Sequence, residues 1–146
     1  RKWTEIDRDK IDEVANRFFS IGGEHGWYYA DSLWRLRGTL DKLLGGVGLS
    51  RGRRSKIDVE AGDTIDFWRV ILADRKNYRL LLFAEMKLPG EAWLEFAIVN
   101  NENRSILKQT ATFRPKGIMG RNYWYAMLPF HFFIFRNMLK RIAGKT

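Results

Sequence analysis

Residues 79–99, RLLLFAEMKLPGEAWLEFAIV, contain two apolar runs separated by a Leu88-Pro89-Gly90 turn. Alternating apolar residues on both sides of such a turn are typical of a β-hairpin. With a three-residue turn, Lys87 opposes Glu91, and one face of the hairpin becomes wholly apolar. That face consists of Leu80, Leu82, Ala84, Met86, Ala92, Leu94, Phe96 and Ile98. A slip of one residue would mix charged side chains into this set, so the sequence favours this register.

Two more strands are predicted beside the hairpin, at residues 64–73 and 105–113. The first has two interpretations, because its inward face could carry either Asp66 and Trp68 or Ile65 and Phe67. In the second strand, Gln109 shares a face with apolar neighbours. Asp66 and Gln109 are therefore candidate polar groups at the rim of an apolar space.

The outer face of the hairpin carries two glutamates, Glu85 and Glu95. Paired carboxylates are typical of glycoside hydrolysis. Here Lys87 and Arg79 share the same face and can screen both charges. The sequence therefore predicts a solvated ionic surface and not a catalytic pair.

The remaining apolar periodicity is helical. It predicts two short helices near the N-terminus, at residues 7–19 and 31–44, and a long C-terminal helix at 117–143. The first part of the long helix is apolar on every side, which predicts burial on more than one side. Helices beside an antiparallel sheet with an apolar face make an α+β fold, which we assign to residues 1–146 as a single domain.

The segment between the two short helices, IGGEHGWYYADSLW at residues 21–34, is interpreted as an elbow. Its glycines follow a helix, whereas the glycine-rich loop of a dinucleotide site follows a strand. We expect Gly22-Gly23 to turn the chain through backbone angles that other residues avoid. Trp27, Tyr28 and Trp34 are expected to pack the elbow against the sheet or the last helix.

The composition gives little support for a metal site or for a catalytic nucleophile. The chain has no cysteine, and its two histidines, His25 and His131, are far apart and outside any zinc motif. No Ser-His-Asp arrangement with a nucleophile elbow is visible. We predict no metal, no cofactor and no catalytic residue.

The net charge of +9 is concentrated in two regions, residues 35–56 with +6 and residues 114–146 with +7. Such regions could attract an anion, but exposed aromatics are not interleaved with the charges as in nucleic-acid readers. The chain has no secretion signal and no apolar run long enough to span a bilayer. We therefore expect a cytoplasmic domain and favour neither nucleic acid nor a membrane as its partner.

Five stretches carry a resemblance to a known family: FFSIGGEHGWYYADSLWRLRGTLDKLLGGVGLSRGRR (18–54), GDTIDFWRV (62–70), AEMKLPGEAWLEF (84–96), QTATFRP (109–115) and YWYAMLPFH (123–131). They resemble a bacterial domain family that often lies C-terminal to atypical short-chain dehydrogenase/epimerase-like domains. That family is related to the START/polyketide-cyclase-like helix-grip superfamily. The resemblance implies an antiparallel sheet wrapped around a long C-terminal helix, with a cavity between them. The missing initial methionine agrees with a piece of such a fusion.

The resemblance also implies binding of an apolar small molecule, such as a lipid, an isoprenoid or an aromatic polyketide. The candidate ligand-binding residues are Asp66, Trp68, Gln109, Trp124, Leu128 and His131. One alternative is an interaction module that docks to an upstream NAD(P)-binding dehydrogenase-like domain or forms a homodimer. Another is a cyclase- or dehydratase-like enzyme in which Asp66 or His131 acts as acid or base.

Overall fold

The computed structural model describes residues 1–23, 26–28, 39, 42–43, 45, 50–52, 58–85, 87 and 89–145. Their secondary structure, in chain order, is β1 (Lys2–Ile6), a 3-10 turn (Arg8–Lys10), α1 (Ile11–Phe19), β2 (Ser50–Gly52), β3 (Thr64–Asp66), β4 (Trp68–Asp74), β5 (Arg79–Ala84), β6 (Gly90–Asn100), β7 (Ser105–Pro115) and α2 (Gly117–Ile142). Most of the predicted helix at 31–44 lies outside the described residues, as do Glu24, His25 and Trp34; the described positions 39 and 42–43 are helical.

The strands form one antiparallel sheet in the order β1-β7-β6-β5-β4-β3-β2. The long helix α2 packs on this sheet, chiefly against β7, and α1 contributes to the same core. This confirms the α+β helix-grip arrangement. The edge strand β1 is not predicted by periodicity, because only Ile6 among its five residues is buried.

The hairpin of β5 and β6 has the predicted faces but not the predicted register. Leu82 lies opposite Leu94, a shift of two residues. Because side chains alternate with a period of two, such a shift keeps every residue on its face. Strand β5 ends at Ala84, where the Glu85 amide donates to the Phe67 carbonyl at 2.7 Å, so the connection to β6 is longer than the predicted turn. The buried inner face includes Leu80, Leu82, Ala84, Leu94, Phe96 and Ile98.

The predicted strand at 64–73 is divided at Phe67 into β3 and β4. Asp66 has a φ of +56, and the chain reverses at this point, because β3 and β4 pair with each other antiparallel. Ile65, Phe67 and Trp68 are consequently all buried. Neither of the two predicted alternations holds over the whole segment.

The elbow after α1 depends on Gly22, which has a φ of +71. A Cβ at this position would also lie 1.9 Å from Cγ2 of Ile65. Gly23 has no positive φ, whereas Gly26 has a φ of +60. Trp27 is buried, and its Nε1 donates to Asp66 Oδ2 at 2.6 Å. The predicted elbow is therefore confirmed for Gly22 and Trp27, but Gly26 and not Gly23 supplies the second left-handed residue.

The two halves of α2 differ in burial. The last three turns contribute Phe135, Met138, Leu139 and Ile142 to the core. The part of α2 before these residues exposes large apolar side chains, namely Ile118, Met119, Tyr125, Leu128, Phe130, Phe132 and Phe133. The expected burial on more than one side is therefore wrong, because a helix packed on a single layer buries only the stripe that faces it. No described helix is long and apolar enough to cross a membrane.

At Gly120, the N-terminal end of α2 lies very close to the chain at Pro89 and Pro115. A Cβ there would lie 2.2 Å from the carbonyl oxygen of Pro89 and 3.1 Å from Pro115. Only a residue without a side chain permits this backbone separation. Gly120 thus sets the distance between α2 and the end of the sheet formed by β6 and β7.

We predict that Gly120→Ala destabilises the protein, although alanine in a helix interior is normally more stable than glycine by about 1 kcal/mol. The added methyl group would collide with the backbone of Pro89, which cannot rotate away as a side chain can. Urea unfolding followed by circular dichroism should show a net loss of about 1–3 kcal/mol in the free energy of unfolding.

Asn122→Ala serves as the control, because Asn122 is exposed in the same part of α2. This change should be neutral or stabilise by a few tenths of a kcal/mol, roughly as helix propensity predicts. If Gly120→Ala proves as stable as Asn122→Ala, the close approach of α2 to Pro89 does not exist.

Candidate functional site

A cavity of about 150 Å³ lies between β7 and the middle of α2. Its lining residues are Arg1, Lys2, Gln109, Ala111, Trp124, Leu128, His131, Phe132 and Phe135. Only two of its lining residues come from β7, and most of the others come from α2. No aspartate or glutamate lines it.

The secondary structure explains why these residues meet. Gln109 and Ala111 are two apart on β7 and therefore share the face that packs against α2. Lys2 lies directly opposite Gln109 in the β1–β7 ladder, so its side chain lies on the same face. On α2, Trp124 and His131 are seven residues apart, which places both on one stripe of the helix.

Aromatic rings form the helix side of the cavity. The ring of His131 lies 5.8 Å from that of Trp124 and 5.4 Å from that of Phe135. Trp124 is in turn stacked on Phe113 of β7, with ring centroids 5.1 Å apart and an interplanar angle of 10°. This stacking holds the Trp124 ring in place and gives the cavity a fixed aromatic wall.

Gln109 is the polar group inside this apolar space. It is 2% exposed, and neither its Nε2 nor its Oε1 has a hydrogen-bond partner in the described structure. Leaving a buried amide unpaired costs about 1–3 kcal/mol. Ser105, also buried on β7, differs because its Oγ donates to Asn100 Oδ1 at 2.9 Å. Gln109 is therefore a polar residue of the cavity lining whose amide has no hydrogen-bond partner among the described residues.

Lys2 lies at the mouth of the cavity. Its Nζ donates to the carbonyl of Phe132 at 2.7 Å and lies 3.4 Å from the centroid of the Phe132 ring. Burial, and to a lesser degree the positive charge of Arg136, lower the pKa of Lys2 below its ordinary value. Arg1 and Lys2 are the cations in the lining, and none of the described residues that line the cavity carries a negative charge.

Four of the six predicted ligand-binding residues line this cavity together: Gln109, Trp124, Leu128 and His131. The prediction does not include Lys2, because it lies on the unpredicted strand β1. It also does not include Phe135, although Phe135 follows His131 by one helical turn. The i, i+4 spacing of these two aromatic residues was the available signal.

The other two predicted residues, Asp66 and Trp68, lie elsewhere. Strands β5 and β6 separate β4 from β7, a distance of about 14 Å at the usual strand spacing. The Asp66 carboxylate accepts the hydrogen bond from Trp27, and Trp68 is buried against Trp27 and Phe67. The structure therefore assigns both residues to the packing of the elbow and does not bring them to the cavity.

A second cavity, of about 420 Å³, lies where β1, the turn after β6 and the end of α2 meet. It is polar, but its cations already have partners within the protein. Arg8 donates to the carbonyls of residues 101 and 102, Arg104 pairs with Glu5 at 3.1 Å, and Lys145 donates to the Glu5 carbonyl at 2.7 Å. The cations of this cavity thus connect segments of the chain to one another. The smaller cavity is therefore the better candidate for a ligand-binding site.

Charged groups elsewhere are also paired. Glu85 pairs with Arg69, and Glu95 pairs with Arg79 at 2.6 Å, on the outer face of the sheet. This confirms the solvated interpretation of the two glutamates. Among the residues that the structure describes, no group of three histidine, aspartate or glutamate side chains could hold a metal ion.

The fold is similar to that in the X-ray structure of norcoclaurine synthase from Thalictrum flavum. The alignment covers 98% of this chain and 81% of that chain, with a TM-score of 0.51 and 11% sequence identity. At this identity the likeness concerns the fold alone, and it supports the helix-grip arrangement. No curated protein matches the sequence. A family model matches residues 1–138, and the chain therefore belongs to the family described as protein of unknown function (DUF2867).

Proposed function

We propose that this domain binds a small aromatic molecule in the cavity between β7 and α2, and that the Gln109 amide hydrogen-bonds the polar group of that molecule. The observation that carries the proposal is the buried, unpaired amide of Gln109 in a cavity whose other lining residues, apart from Arg1, Lys2 and His131, are apolar. Ligand sites are commonly apolar pockets with a few polar groups that fix orientation. A folded chain that served only for packing would gain stability by replacing this residue.

The size of the cavity limits the ligand. An apolar cavity of about 150 Å³ holds a molecule the size of benzene, whereas sites for larger ligands have volumes of roughly 300–1,000 Å³. A volume of about 150 Å³ therefore suits a single ring. Of the ligand classes implied by the resemblance, a one-ring aromatic compound fits better than a lipid, an isoprenoid or a polyketide of several rings.

The ring faces on α2 determine how such a ligand would lie. Trp124, His131 and Phe135 present aromatic surface, and aromatic pairs prefer offset-stacked or edge-to-face contacts. Leu128 adds aliphatic contact from the same stripe of the helix. A bound ring would therefore be oriented by α2 and anchored at its polar end by β7.

An enzymatic role is less well supported than binding. Of the two residues considered as acid or base, Asp66 accepts a hydrogen bond from Trp27 and lies away from the cavity. His131 alone remains, and it lies among aromatic rings. General acid–base catalysis would need a substrate proton within hydrogen-bond reach of this one imidazole.

A second candidate function rests on the outward face of α2, defined as Ile118, Met119, Tyr125, Phe130 and Phe133. Exposed apolar patches are typical of interaction surfaces. The segment from Arg114 to Lys145 carries seven Lys and Arg residues and no acid. An apolar helix face flanked by cations fits the surface of an anionic membrane. We propose such a surface as the partner of the outward face.

We predict that Gln109→Leu has opposite effects on stability and on binding. Removing the unpaired amide should raise the free energy of unfolding by about 1–3 kcal/mol. Binding of phenol, measured by ligand-observed NMR, should be lost or weakened about tenfold, because no group remains to pair with its hydroxyl.

Two further variants test the location of that binding. Ala111→Leu adds volume inside the cavity and should block phenol, whereas Ala97→Leu adds the same volume on the opposite face of the sheet and should not. A Gln109→Leu protein that is destabilised as much as a Ser105→Ala protein would mean that Gln109 has a structural partner. Equal binding by the two leucine variants would place the phenol site elsewhere.

For the outward face of α2, we predict flotation with phosphatidylglycerol-containing vesicles at low salt and none with pure phosphatidylcholine vesicles. The double variant Phe130→Ser and Phe133→Ser should abolish flotation, because it removes two exposed aromatic anchors. Ile71→Ser, at an exposed position on β4, is the matched control and should float like the unaltered protein. Absence of flotation, or a double variant that only changes the oligomeric state in size-exclusion chromatography, would contradict this proposal.

A further inference from the structure

The charges at the mouth of the cavity restrict the ligand further. Lys2 and Gln109 are directly opposed in the β1–β7 ladder, so their side chains start about 5 Å apart on one face of the sheet. Both residues line the cavity. The Lys2 ammonium and the Gln109 amide can therefore donate hydrogen bonds to the same small group.

Lys2 retains donors for such a group. An ammonium has three N–H groups, and the structure assigns one of them to the Phe132 carbonyl. That bond and the contact with the Phe132 ring hold the ammonium at the mouth. A preorganised cation of this kind loses little side-chain freedom when it binds an anion.

The surroundings of Lys2 supply positive charge and no counter-charge. Arg136 follows Phe132 by one helical turn and is close enough to oppose protonation of Lys2. Neither β7 nor α2 contains an acidic residue, and Glu5 of β1 pairs with Arg104 at the other end of the strand. A bound anion would relieve the repulsion between the two cations.

Resting on the proposed function, we infer that the ligand is a single-ring aromatic carboxylate. Its carboxylate lies between Lys2 and Gln109, and its ring lies against Trp124, His131 and Phe135. The apolar wall distinguishes this site from one for a free inorganic anion, because phosphate would leave the ring faces without a partner. Charge-assisted hydrogen bonds are about twice as strong as neutral ones, which favours the carboxylate over a neutral isostere.

The test compares benzoate with benzamide, which has nearly the same shape and no charge. Titration of the whole chain at pH 7 and low salt, followed by NMR chemical shifts, should give a benzoate affinity about tenfold above that of benzamide. Raising the salt concentration should lower the affinity for benzoate and leave the affinity for benzamide unchanged, because only benzoate binding involves opposite charges. Inorganic phosphate should not displace benzoate at equal concentration.

Lys2→Met is the informative variant, since methionine preserves the apolar stem over Phe132 and removes the charge. It should lower benzoate affinity about tenfold and benzamide affinity by less, because the benzamide carbonyl accepts from the ammonium but carries no opposite charge. Arg136→Met should have a smaller effect in the same direction. Lys10→Met is the control, because Lys10 is exposed and pairs with Asp7 away from the cavity.

The outcomes separate this inference from the proposed function. If benzamide binds as tightly as benzoate, the anionic ligand is excluded while the aromatic site stands. If neither compound binds, and phenol does not bind either, the proposed function itself fails. If phosphate displaces benzoate at equal concentration, the mouth binds inorganic anions and the aromatic carboxylate is excluded.

Discussion

The packing of α2 on the sheet is the constraint on which the rest of the structure depends. At its C-terminal end, Phe135, Met138 and Ile142 are buried in the core. At its N-terminal end, Gly120 brings the helix backbone against Pro89. Between these two anchors, large rings of α2 lie beside Gln109 and Ala111 of β7. The cavity of about 150 Å³ is the space that remains.

This arrangement links stability to the proposed binding function through one residue. Most of the inner sheet face is apolar, and its residues lower the free energy of the folded state by burial. Gln109 has the opposite effect, because its amide loses water without gaining a protein partner. Sites that bind ligands often carry such local costs, which the rest of the fold offsets. In the proposed function, the aromatic wall and Lys2 determine what kind of molecule can pair with the amide.

Much of the fold could be predicted from the sequence because alternation and helical spacing report directly on burial. The faces of the hairpin and the extent of α2 follow from these patterns, and so do the four cavity residues on β7 and α2. The register could not be predicted, because a shift of two residues leaves the pattern unchanged. The reversal at Asp66 depends on its positive φ, which residue type does not signal. Strand β1, and Lys2 with it, has too few buried residues to be recognised. The first part of α2 is apolar on every side, so its sequence does not indicate which side packs on the sheet and which side is exposed.

NMR can directly observe the proposed contact of a ligand with Gln109 and the rings of α2. In protein labelled with nitrogen-15, the side-chain amide of Gln109 can be assigned by comparison with the Gln109→Leu variant. With phenol bound, the account predicts nuclear Overhauser effects from the phenol ring protons to the Gln109 amide protons and to the ring of Trp124. Overhauser effects only to the outward face of α2, or a Gln109 amide signal that phenol leaves unchanged, would contradict it.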